Sequence, residues 1–334
     1  MIIAEMSGNH NGSLERALLL VEAAAVAGAH ALKLQTYTPD SLTLDVADGD
    51  FFLDDADNPW QGRSLYELYQ EAQTPWDWHP QIFARSAELG MLCFSTPFDL
   101  AAVNFLEDLG SPAYKIASFE SNHLPLLEAV ASTGKPVIMS TGMATLAELD
   151  ESVRALRAAG CKDLILLKCT SAYPADASNS NVTTIPHLAD MFDCQVGLSD
   201  HTPGIGVPVA AVAHGATVIE KHFTLKRSDG GVDSAFSLEP RELQALVLET
   251  ARAWRSLGSP TYGPTESEQG SRVFRRSLYL SQDVKSGETL GPHNVRIVRP
   301  GHGLAPKYLR VISGLPLAKD ASRGTALTWD LLEK

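Results

Sequence analysis

The 334-residue sequence has few cysteines, no long apolar run and no excess of basic residues. Its four cysteines, Cys93, Cys161, Cys169 and Cys194, are widely spaced, which argues against a disulfide framework and against a Cys-x-x-Cys metal site. No apolar run reaches the roughly 18 residues that a membrane span needs, and residues 1–5 lack the basic start of a signal peptide. These absences predict a cytoplasmic protein with free thiols.

The charge balance also limits the possible partners. A net charge of −13 argues against a nucleic-acid partner. It leaves an anionic small molecule possible, because local lysines and arginines decide whether such a molecule binds. A hydrophobic content of 44% is ample for a core, and the length suits a barrel of about 250 residues with a small second domain.

Strand-length apolar runs alternate with helical patterns eight times over residues 1–257. In the first unit, Ser13 is a candidate N-cap and Gly28 a candidate stop for one helix, which lies between two short apolar runs. So compact a strand–helix–strand unit predicts parallel strands with a right-handed crossover. Eight such units predict an α/β fold, the (β/α)8 or TIM barrel. Residues 37–75 interrupt the pattern and are expected to form a functional loop.

The pattern changes after the predicted barrel. Residues 258–276 are rich in Gly, Ser, Pro, Thr and Glu and are expected to form a linker. Residues 277–334 contain short alternating segments with turn signals at 285–288 and 323–324, which predict a small β-rich domain.

Polar residues follow most of the predicted strands, at the barrel end where active sites are assembled. They are Glu5, Lys33, Gln35, Ser95, Thr96, Lys115, Ser118, Glu120, Ser140, Thr141, Lys168, Thr170, Ser171, Ser199, Asp200, His201, Glu220 and His222.

The two lysines in apolar strands are the most informative of these residues. An unpaired ammonium group is costly there, so Lys33 and Lys115 either extend to solvent, pair with a glutamate, or bind ligand anions. Several Ser and Thr hydroxyls at the same barrel end favour the third alternative, a bound phosphate and carboxylate. Glu5 and Glu120 would then be carboxylates available for proton transfer.

The two strand-end histidines are candidate metal ligands. Each could instead be a structural histidine that donates to a backbone carbonyl. Two ligands are too few for a closed zinc site, so a metal at His201 and His222 would keep open positions for water and substrate. The absence of cysteine favours Mn²⁺ or Mg²⁺, which would act as a Lewis acid on a carbonyl. His10, after the first strand, could bind substrate or lie on the surface.

The loop after the eighth predicted strand is a candidate specificity loop. Gly230 and Gly231 let the backbone approach a ligand closely, and Asp233 could accept hydrogen bonds from sugar hydroxyls or amides. The alternative is a flexible loop that caps the last helix of the barrel.

Seven sequence blocks resemble the sialic acid synthase family, and the C-terminal part resembles its antifreeze-protein-like (SAF) domain. The blocks are residues 3–12, 33–36, 94–98, 114–118, 140–143, 197–202 and 219–224. Within the family, residues 66–72 and 228–240 are most similar to the subgroup that makes pseudaminate, with legionaminate and neuraminate synthases as the alternatives.

The resemblance implies condensation of phosphoenolpyruvate with an open-chain amino sugar. It implies that His201 and His222 hold a divalent metal, Mn²⁺ before Mg²⁺ or Co²⁺, that Glu5 serves the proton transfers or the attacking water, and that Glu120 orients groups nearby. The residues that would hold phosphoenolpyruvate are Lys33, Thr96, Lys115, Ser118, Ser140 and Ser199. The residues that would contact the sugar are Tyr173, Asp233 and Arg299, the last from the small domain of a partner subunit in a domain-swapped homodimer.

Two departures from the family pattern affect these expectations. Ser171 stands where neuraminate synthases carry Asn, which puts that phosphate contact in question, and the family usually has a short segment before the first strand. Two functions of other classes also remain open: a non-catalytic sugar-binding barrel, and an aldolase that forms a Schiff base on Lys33 or Lys115. The retained lysines, Glu5 and both histidines argue against mere sugar binding.

Overall fold

The computed structural model describes residues 1–55 and 60–332. Residues 56–59, in the predicted insertion, and residues 333–334, in the predicted small domain, lie outside the described part. The chain divides into two compact units, Met1–Gly258 and Ser259–Lys334.

The first unit is a closed parallel barrel of eight strands. The strands are β1 (Ile2–Glu5), β2 (Ala31–Thr36), β3 (Leu92–Pro97), β4 (Tyr114–Ile116), β5 (Val137–Ser140), β6 (Leu164–Cys169), β7 (Gln195–Asp200) and β8 (Val218–His222). Each strand pairs with the next in the chain, and β8 pairs with β1 to close the barrel. The predicted (β/α)8 fold is confirmed.

A barrel helix follows each strand, and the insertion after β2 adds two shorter helices, Pro39–Leu42 and Leu65–Ala72. The barrel helices are α1 (Leu14–Ala27), α2 (His79–Glu88), α3 (Leu100–Asp108), α4 (Leu124–Ser132), α5 (Leu146–Ala158), α6 (Thr184–Phe192), α7 (Gly206–Ala213) and α8 (Pro240–Ser256). The Ser13 side chain accepts a hydrogen bond from the backbone N–H of Arg16 at the start of α1, and Gly28 ends the helix with a φ of +88°. Both are the predicted helix signals.

Side chains inside the barrel form an apolar layer from six strands. This layer contains Ile3, Ala31, Phe94, Ile138, Leu167 and Val218. Gly197 occupies the corresponding place on β7, where an added Cβ would lie 2.1 Å from the Val218 carbonyl oxygen. Because side chains alternate along a strand, residues two positions later enter the next layer towards the strand ends.

The insertion after β2 has structure that the sequence pattern does not predict. A helix spans Leu65–Ala72 and is capped by Ser64, whose side chain accepts from the backbone N–H of Glu67. Two-residue strands, Phe52–Leu53 and Arg63–Ser64, pair antiparallel before it. These elements are too short for a periodic pattern to reveal them.

The second unit is small and rich in extended segments. Strand β9 (Ser277–Leu280) pairs antiparallel with β10 (Val295–Val298), and a short helix spans Leu309–Ile312. Gly287 and Gly324 have φ values of +80° and +86°, and they lie in the two predicted turns.

The predicted thiols and the membrane expectation can be checked directly. Cys93, Cys161 and Cys169 are buried, Cys194 is half-buried, and all four are free. Among residues 1–55 and 60–332, every helix is too short or too polar to cross a membrane.

Candidate active site

A polar layer lies directly above the apolar layer of the barrel interior. Its residues are Glu5, Lys33, Thr96, Lys115, Ser140, Cys169, Ser199 and Glu220, and all are buried. Each lies two positions beyond an inward-facing residue of the layer below, as the strand period requires. Strand register places Glu5 beside both Lys33 and His222, and Glu220 beside Ser199. The polar layer therefore lies where barrel active sites form.

Glu220 lies between the two buried lysines. Lys33 Nζ is 2.6 Å from Glu5 Oε2 and 3.8 Å from Glu220 Oε1, whereas Lys115 Nζ is 4.0 Å from the same Glu220 oxygen. Ser199 donates a hydrogen bond of 3.2 Å to that oxygen. The lysines are therefore paired with glutamates, and the alternative in which they extend to solvent is wrong.

Each lysine also contacts a hydroxyl group. Lys33 Nζ donates to Thr96 Oγ1 at 3.2 Å, and Lys115 Nζ donates to Ser140 Oγ at 2.7 Å. Four predicted phosphoenolpyruvate contacts are thus brought together in two ammonium–hydroxyl pairs. Such pairs suit an oxyanion, because cationic and hydroxyl donors can share its oxygens.

Two further hydroxyl groups contact each other, one just after β4 and one just after β6. Ser118 Oγ and Ser171 Oγ are 2.7 Å apart. Gly142, with a φ of +46°, passes so close that an added Cβ would lie 2.2 Å from Ser118 Cβ. Ser171 therefore stands beside a predicted phosphate contact, and Gly142 leaves the space that both hydroxyls need.

Charge and burial set the protonation of the polar layer. Burial raises the pKa of Glu220, but the cations of Lys115 and Lys33 outweigh this and hold it below the usual value. Burial also raises the pKa of Glu5, which the Lys33 cation opposes only in part. For Lys33, burial lowers the pKa, yet Glu220 and Glu5 together raise it above the usual value. The pKa of Lys115 is lowered by burial.

Glu120 is a half-buried carboxyl group close to Lys115. Its Oε2 atom is enclosed and has no hydrogen-bond partner among the described residues. Burial raises the pKa of Glu120 to about 7, although the Lys115 cation opposes the shift. A carboxyl group with such a pKa can both give and accept a proton near neutral pH.

His201 and His222 lie side by side, with ring centroids 5.4 Å apart. His201 Nδ1 is 3.0 Å from the Thr170 carbonyl oxygen, which fixes the ring, and the His201 side chain also contacts the buried Cys169 thiol. His222 is buried, and in the described part of the chain its Nδ1 has no hydrogen-bond partner. Burial holds the pKa of His222 well below its usual value, so this imidazole is neutral and can donate a lone pair.

These two rings fit a divalent cation with an open coordination sphere. No cluster of three or more His, Cys, Asp or Glu ligands occurs within the described ranges, so water or substrate would complete the sphere. Burial lowers the pKa of His201, but contacts with Cys169 and the Thr170 carbonyl outweigh this and raise it. A cation at His201 would therefore compete with a proton for the ring nitrogen.

Asp233 faces His222 from the loop after β8. Its Oδ2 lies 3.7 Å from His222 Nδ1, and the Ser7 hydroxyl donates to the same oxygen. Asp233 is buried, and burial raises its pKa. Arg16 also holds this loop through an ion pair of 2.8 Å with Asp229. The predicted sugar-binding carboxylate thus lies beside the predicted metal ligand.

Aromatic rings line one side of this region. The Tyr173 ring lies 4.4 Å from that of His201 and 5.3 Å from that of Phe236. Trp60, from the insertion, lies 5.9 Å from Tyr173, and its indole N–H donates to the Val232 carbonyl oxygen at 2.8 Å. Tyr173 is therefore enclosed by an apolar surface that the insertion helps to build.

His10 is buried, so the expectation that it lies on the surface is wrong, whereas a contact with substrate stays a prediction. It is 1% exposed, its Nδ1 accepts from the backbone N–H of Gly12, and its ring packs edge-on against Trp78. Burial lowers its pKa to about 4, so it is neutral near pH 7. Its loop contains few apolar residues, and the sequence gives no sign that Trp78 covers it.

Arg299 directly follows β10 in the second unit, and its side chain is exposed. Its expected contact with the sugar bound to a partner subunit stays a prediction.

Three residues near the site have no role predicted from the sequence: Glu220, Gln35 and Trp60. Glu220 precedes His222 by two positions, so the strand period places both on the inner side of β8. Gln35 follows Lys33 by the same interval. Trp60 lies in an insertion without periodicity, and only the folded structure reveals its contact with Tyr173.

Two family models match this chain. The NeuB family model matches residues 20–262, and the SAF domain model matches residues 275–333. The second match confirms the antifreeze-protein-like domain expected at the C-terminus.

Several known proteins are similar over most of their length. The pseudaminic acid synthase of Campylobacter jejuni is 47% identical over 98% of this chain and 94% of the relative. The N,N'-diacetyllegionaminic acid synthase of Legionella pneumophila is 37% identical over 99% of this chain and 94% of the relative. The crystal structure of N-acetylneuraminic acid synthetase from Leptospira borgpetersenii, in complex with citrate, is 35% identical with a TM-score of 0.71 and covers 81% of this chain and 89% of its own.

Proposed function

Because the chain belongs to the NeuB family, as its resemblance to the sialic acid synthases predicts, we propose that it makes pseudaminate. The reaction would join phosphoenolpyruvate, 2,4-diacetamido-2,4,6-trideoxy-altrose and water, and would release phosphate. At the level of the family, the chain is a phosphoenolpyruvate-dependent nonulosonic acid synthase, a transferase that forms a carbon–carbon bond. Identity of 47% to a pseudaminic acid synthase, against 37% to a legionaminic acid synthase, favours pseudaminate as product.

The observation that carries the proposal is the buried lysine pair on either side of Glu220. Their Nζ atoms lie 3.8 and 4.0 Å from one glutamate oxygen, and each also donates to a hydroxyl group. A small molecule with both a phosphate and a carboxylate would add a second anionic partner to each ammonium group, beside the glutamates that already pair with it. Phosphoenolpyruvate carries both groups in one small molecule.

The carboxyl groups would serve the proton transfers. In the proposed reaction, C3 of phosphoenolpyruvate attacks the sugar aldehyde carbon, and the aldehyde oxygen takes up a proton. Water then adds to C2 and loses a proton. Phosphate leaves with the electron pair of its C2–O bond, and the C2 hydroxyl passes its remaining proton to phosphate and becomes the keto group of the product. Glu5, whose pKa burial raises, would take the proton from water. Glu120, with a pKa of about 7, would orient and protonate groups at the other side.

We further propose that His201 and His222 hold a divalent cation, with Mn²⁺ before Mg²⁺ or Co²⁺. When bound, such a cation would polarise the aldehyde carbonyl. The chain's own contribution is to keep the His222 ring neutral by burial and to fix the His201 ring through the Thr170 carbonyl.

The surroundings of Tyr173 support a sugar with apolar substituents. Tyr173, Trp60 and Phe236 provide ring faces on which a methyl group can pack, while Asp233 offers a hydrogen-bond acceptor. The proposed substrate carries a C6 methyl group and two acetamido methyl groups. A fully hydroxylated sugar would leave that aromatic surface poorly matched.

The decisive experiment compares sugars directly. Purified enzyme should release phosphate from phosphoenolpyruvate with the altro-configured diacetamido sugar faster than with its gluco- and manno-configured counterparts. The mass of the product should correspond to pseudaminate. Preference for the gluco- or manno-configured sugar would assign the protein to the legionaminate or neuraminate synthases and overturn the pseudaminate proposal.

A further inference from the structure

Ser7 has an unusual backbone conformation for its residue type. Among residues 1–55 and 60–332, non-glycine residues with positive φ are Ser7, Asn11, Asn181 and Asp193. Asn and Asp tolerate the left-handed region because their short side chains bond locally, whereas serine has no such advantage. Ser7 has a φ of +46° and is 3% exposed. Strained residues of this kind persist only where the surroundings hold them, and they cluster at functional sites.

The hydroxyl of Ser7 joins two parts of the site. Gln35 Nε2 donates to Glu5 Oε1 at 2.9 Å and to Ser7 Oγ at 3.0 Å. The Glu5 carboxylate requires the amide nitrogen of Gln35 on this side, since the amide oxygen would be repelled. The Ser7 hydroxyl therefore accepts from Gln35, and its single hydrogen is donated to Asp233 Oδ2.

Close packing holds this arrangement in place. An added Cβ at Gly8 would lie 2.5 Å from Val232 Cγ2 and 3.1 Å from Ala72 Cα. Asn9 Nδ2 donates to the Phe223 carbonyl oxygen and to Ser237 Oγ, both at 2.9 Å. The segment after β1 and the loop after β8 are thus joined directly after Ser7, at Gly8 and Asn9, independently of the Ser7 hydroxyl.

We propose that Ser7 is a positioning residue, which orients the Asp233 carboxylate relative to Glu5 and so sets the sugar preference of the site. This inference rests on the proposed function of Asp233 as the sugar-binding carboxylate. A carboxylate held in one orientation accepts hydrogen bonds from only one arrangement of hydroxyl and acetamido groups. Without the Ser7 hydroxyl, Asp233 can turn, and sugars of different configuration become more alike to the enzyme.

The test uses Ser7→Gly in the full-length enzyme, because glycine removes the hydroxyl and also suits the positive φ. We expect the melting temperature of the variant to equal or exceed that of the wild type. We expect the sugar KM to increase by about 10- to 100-fold, the loss typical of a hydrogen bond to a charged group, with the phosphoenolpyruvate KM changed by less than about twofold. The ratio of the kcat/KM values for diacetamido sugars of different configuration should move towards one.

Two further variants separate positioning from structure. Asp193→Gly replaces a residue with a φ of +45° at the exposed end of α6. It should therefore change the melting temperature as Ser7→Gly does, but leave the sugar KM unaltered. In an enzyme that already carries Asp233→Asn, adding Ser7→Gly should raise the sugar KM almost no further, because both changes act through one carboxylate. If the two changes instead raise the sugar KM independently, so that their effects multiply in the double variant, the proposal is overturned.

Wild-type enzyme is assayed in parallel with every sugar. Failure of the pseudaminate proposal would appear as a different preferred sugar in the wild type. Failure of the Ser7 proposal would appear as an unchanged ratio of variant to wild-type sugar KM for whichever sugar the wild type prefers. If Ser7→Gly does not fold, Ser7→Ala is measured instead, and a wild-type sugar KM there contradicts the proposal.

Discussion

Lys221 and Asp200 form an ion pair that is closed off from solvent, with Nζ 2.5 Å from Oδ2 and the Lys221 side chain 0% exposed. They lie opposite each other in the register of β7 and β8, each one residue away from a predicted metal ligand. Because side chains alternate, Lys221 points away from the polar layer and towards the helices. Asp200 also accepts from the backbone N–H of Thr202. The pair thus joins the two strand ends that carry His201 and His222.

Breaking this pair should be costly. Lys221→Met leaves the Asp200 carboxylate buried and unpaired, and we expect a loss of about 3–5 kcal/mol in the free energy of unfolding, measured by denaturant titration. Arg154→Met is the matched control, because its pair with Asp150 is 2.8 Å long but 78% and 48% exposed. The control should change stability by less than about 1 kcal/mol. Equal effects in both variants would contradict a buried role for Lys221.

Glu120 should limit stability at neutral and alkaline pH. Its pKa is raised from 4.5 to about 7 by burial, so its stabilising contribution is complete below pH 4.5 and is lost as pH rises through about 7. Glu120→Gln should therefore equal the wild type near pH 4 and exceed it at pH 8 by at most about 3 kcal/mol, while phosphate release falls.

Glu148→Gln provides the control for this pH effect. Hydrogen bonds from Thr145 lower the pKa of Glu148, so its removal should bring no gain at pH 8. A Glu120→Gln variant that is no more stable than wild type at pH 8 would show that Glu120 is solvated in solution.

Gly142→Ala should disturb the site locally. The new Cβ would lie 2.2 Å from Ser118 Cβ and 2.9 Å from Ser171 Oγ. We expect a loss of about 1–3 kcal/mol of stability and a phosphoenolpyruvate KM at least about tenfold higher, measured by phosphate release. Gly110→Ala is the control, because its φ is also positive, at +78°, but no atom lies within 4 Å of the added Cβ. An unchanged phosphoenolpyruvate KM in Gly142→Ala would separate Ser118 from substrate binding.

Removal of divalent cations should abolish phosphate release, and Mn²⁺ should restore it. His222→Ala should lower turnover by orders of magnitude and should also remove Mn²⁺ binding in calorimetric titration of the enzyme without substrate. His187→Ala, on the exposed side of α6, is the control and should bind Mn²⁺ as the wild type does. Full activity after chelation would disprove the proposed metal role.

The expected domain-swapped dimer can be tested by complementation. Arg299→Ala should raise the sugar KM, and His222→Ala should remove turnover. If Arg299 serves the site of the partner subunit, a mixed dimer has one site with both changes and one with neither. An equal mixture assayed at low sugar should then recover about one quarter of wild-type activity. No recovery, despite mixed dimers seen by native mass spectrometry, would place Arg299 outside the partner's site.

The sequence predicts the barrel well because each strand-helix unit carries its own local signals, such as Ser13 and Gly28 around α1. The same local signals locate the strand ends. Because the strand ends converge in a barrel, the sequence also predicts which strand-end residues come together. It does not reveal which charges pair. The position of Glu220 between Lys33 and Lys115 depends on three separate strands, and no single segment encodes it.

Other features depend on contacts that have no sequence period. Trp60 reaches Tyr173 from an insertion, and His10 is covered by Trp78 from a distant segment. Both require the closed barrel to bring remote chain segments together, so they are visible only in the folded protein.

The position of Glu220 between two lysines has a consequence for substrate entry. The polar layer sets two lysines, Lys33 and Lys115, against two glutamates, Glu5 and Glu220, so its own charges balance. A phosphoenolpyruvate trianion would give this buried space a large net negative charge, which a low-dielectric interior does not tolerate. Charge balance therefore demands that protons or a cation enter together with the substrate. In weakly buffered solution, binding of phosphoenolpyruvate alone should make the medium more alkaline.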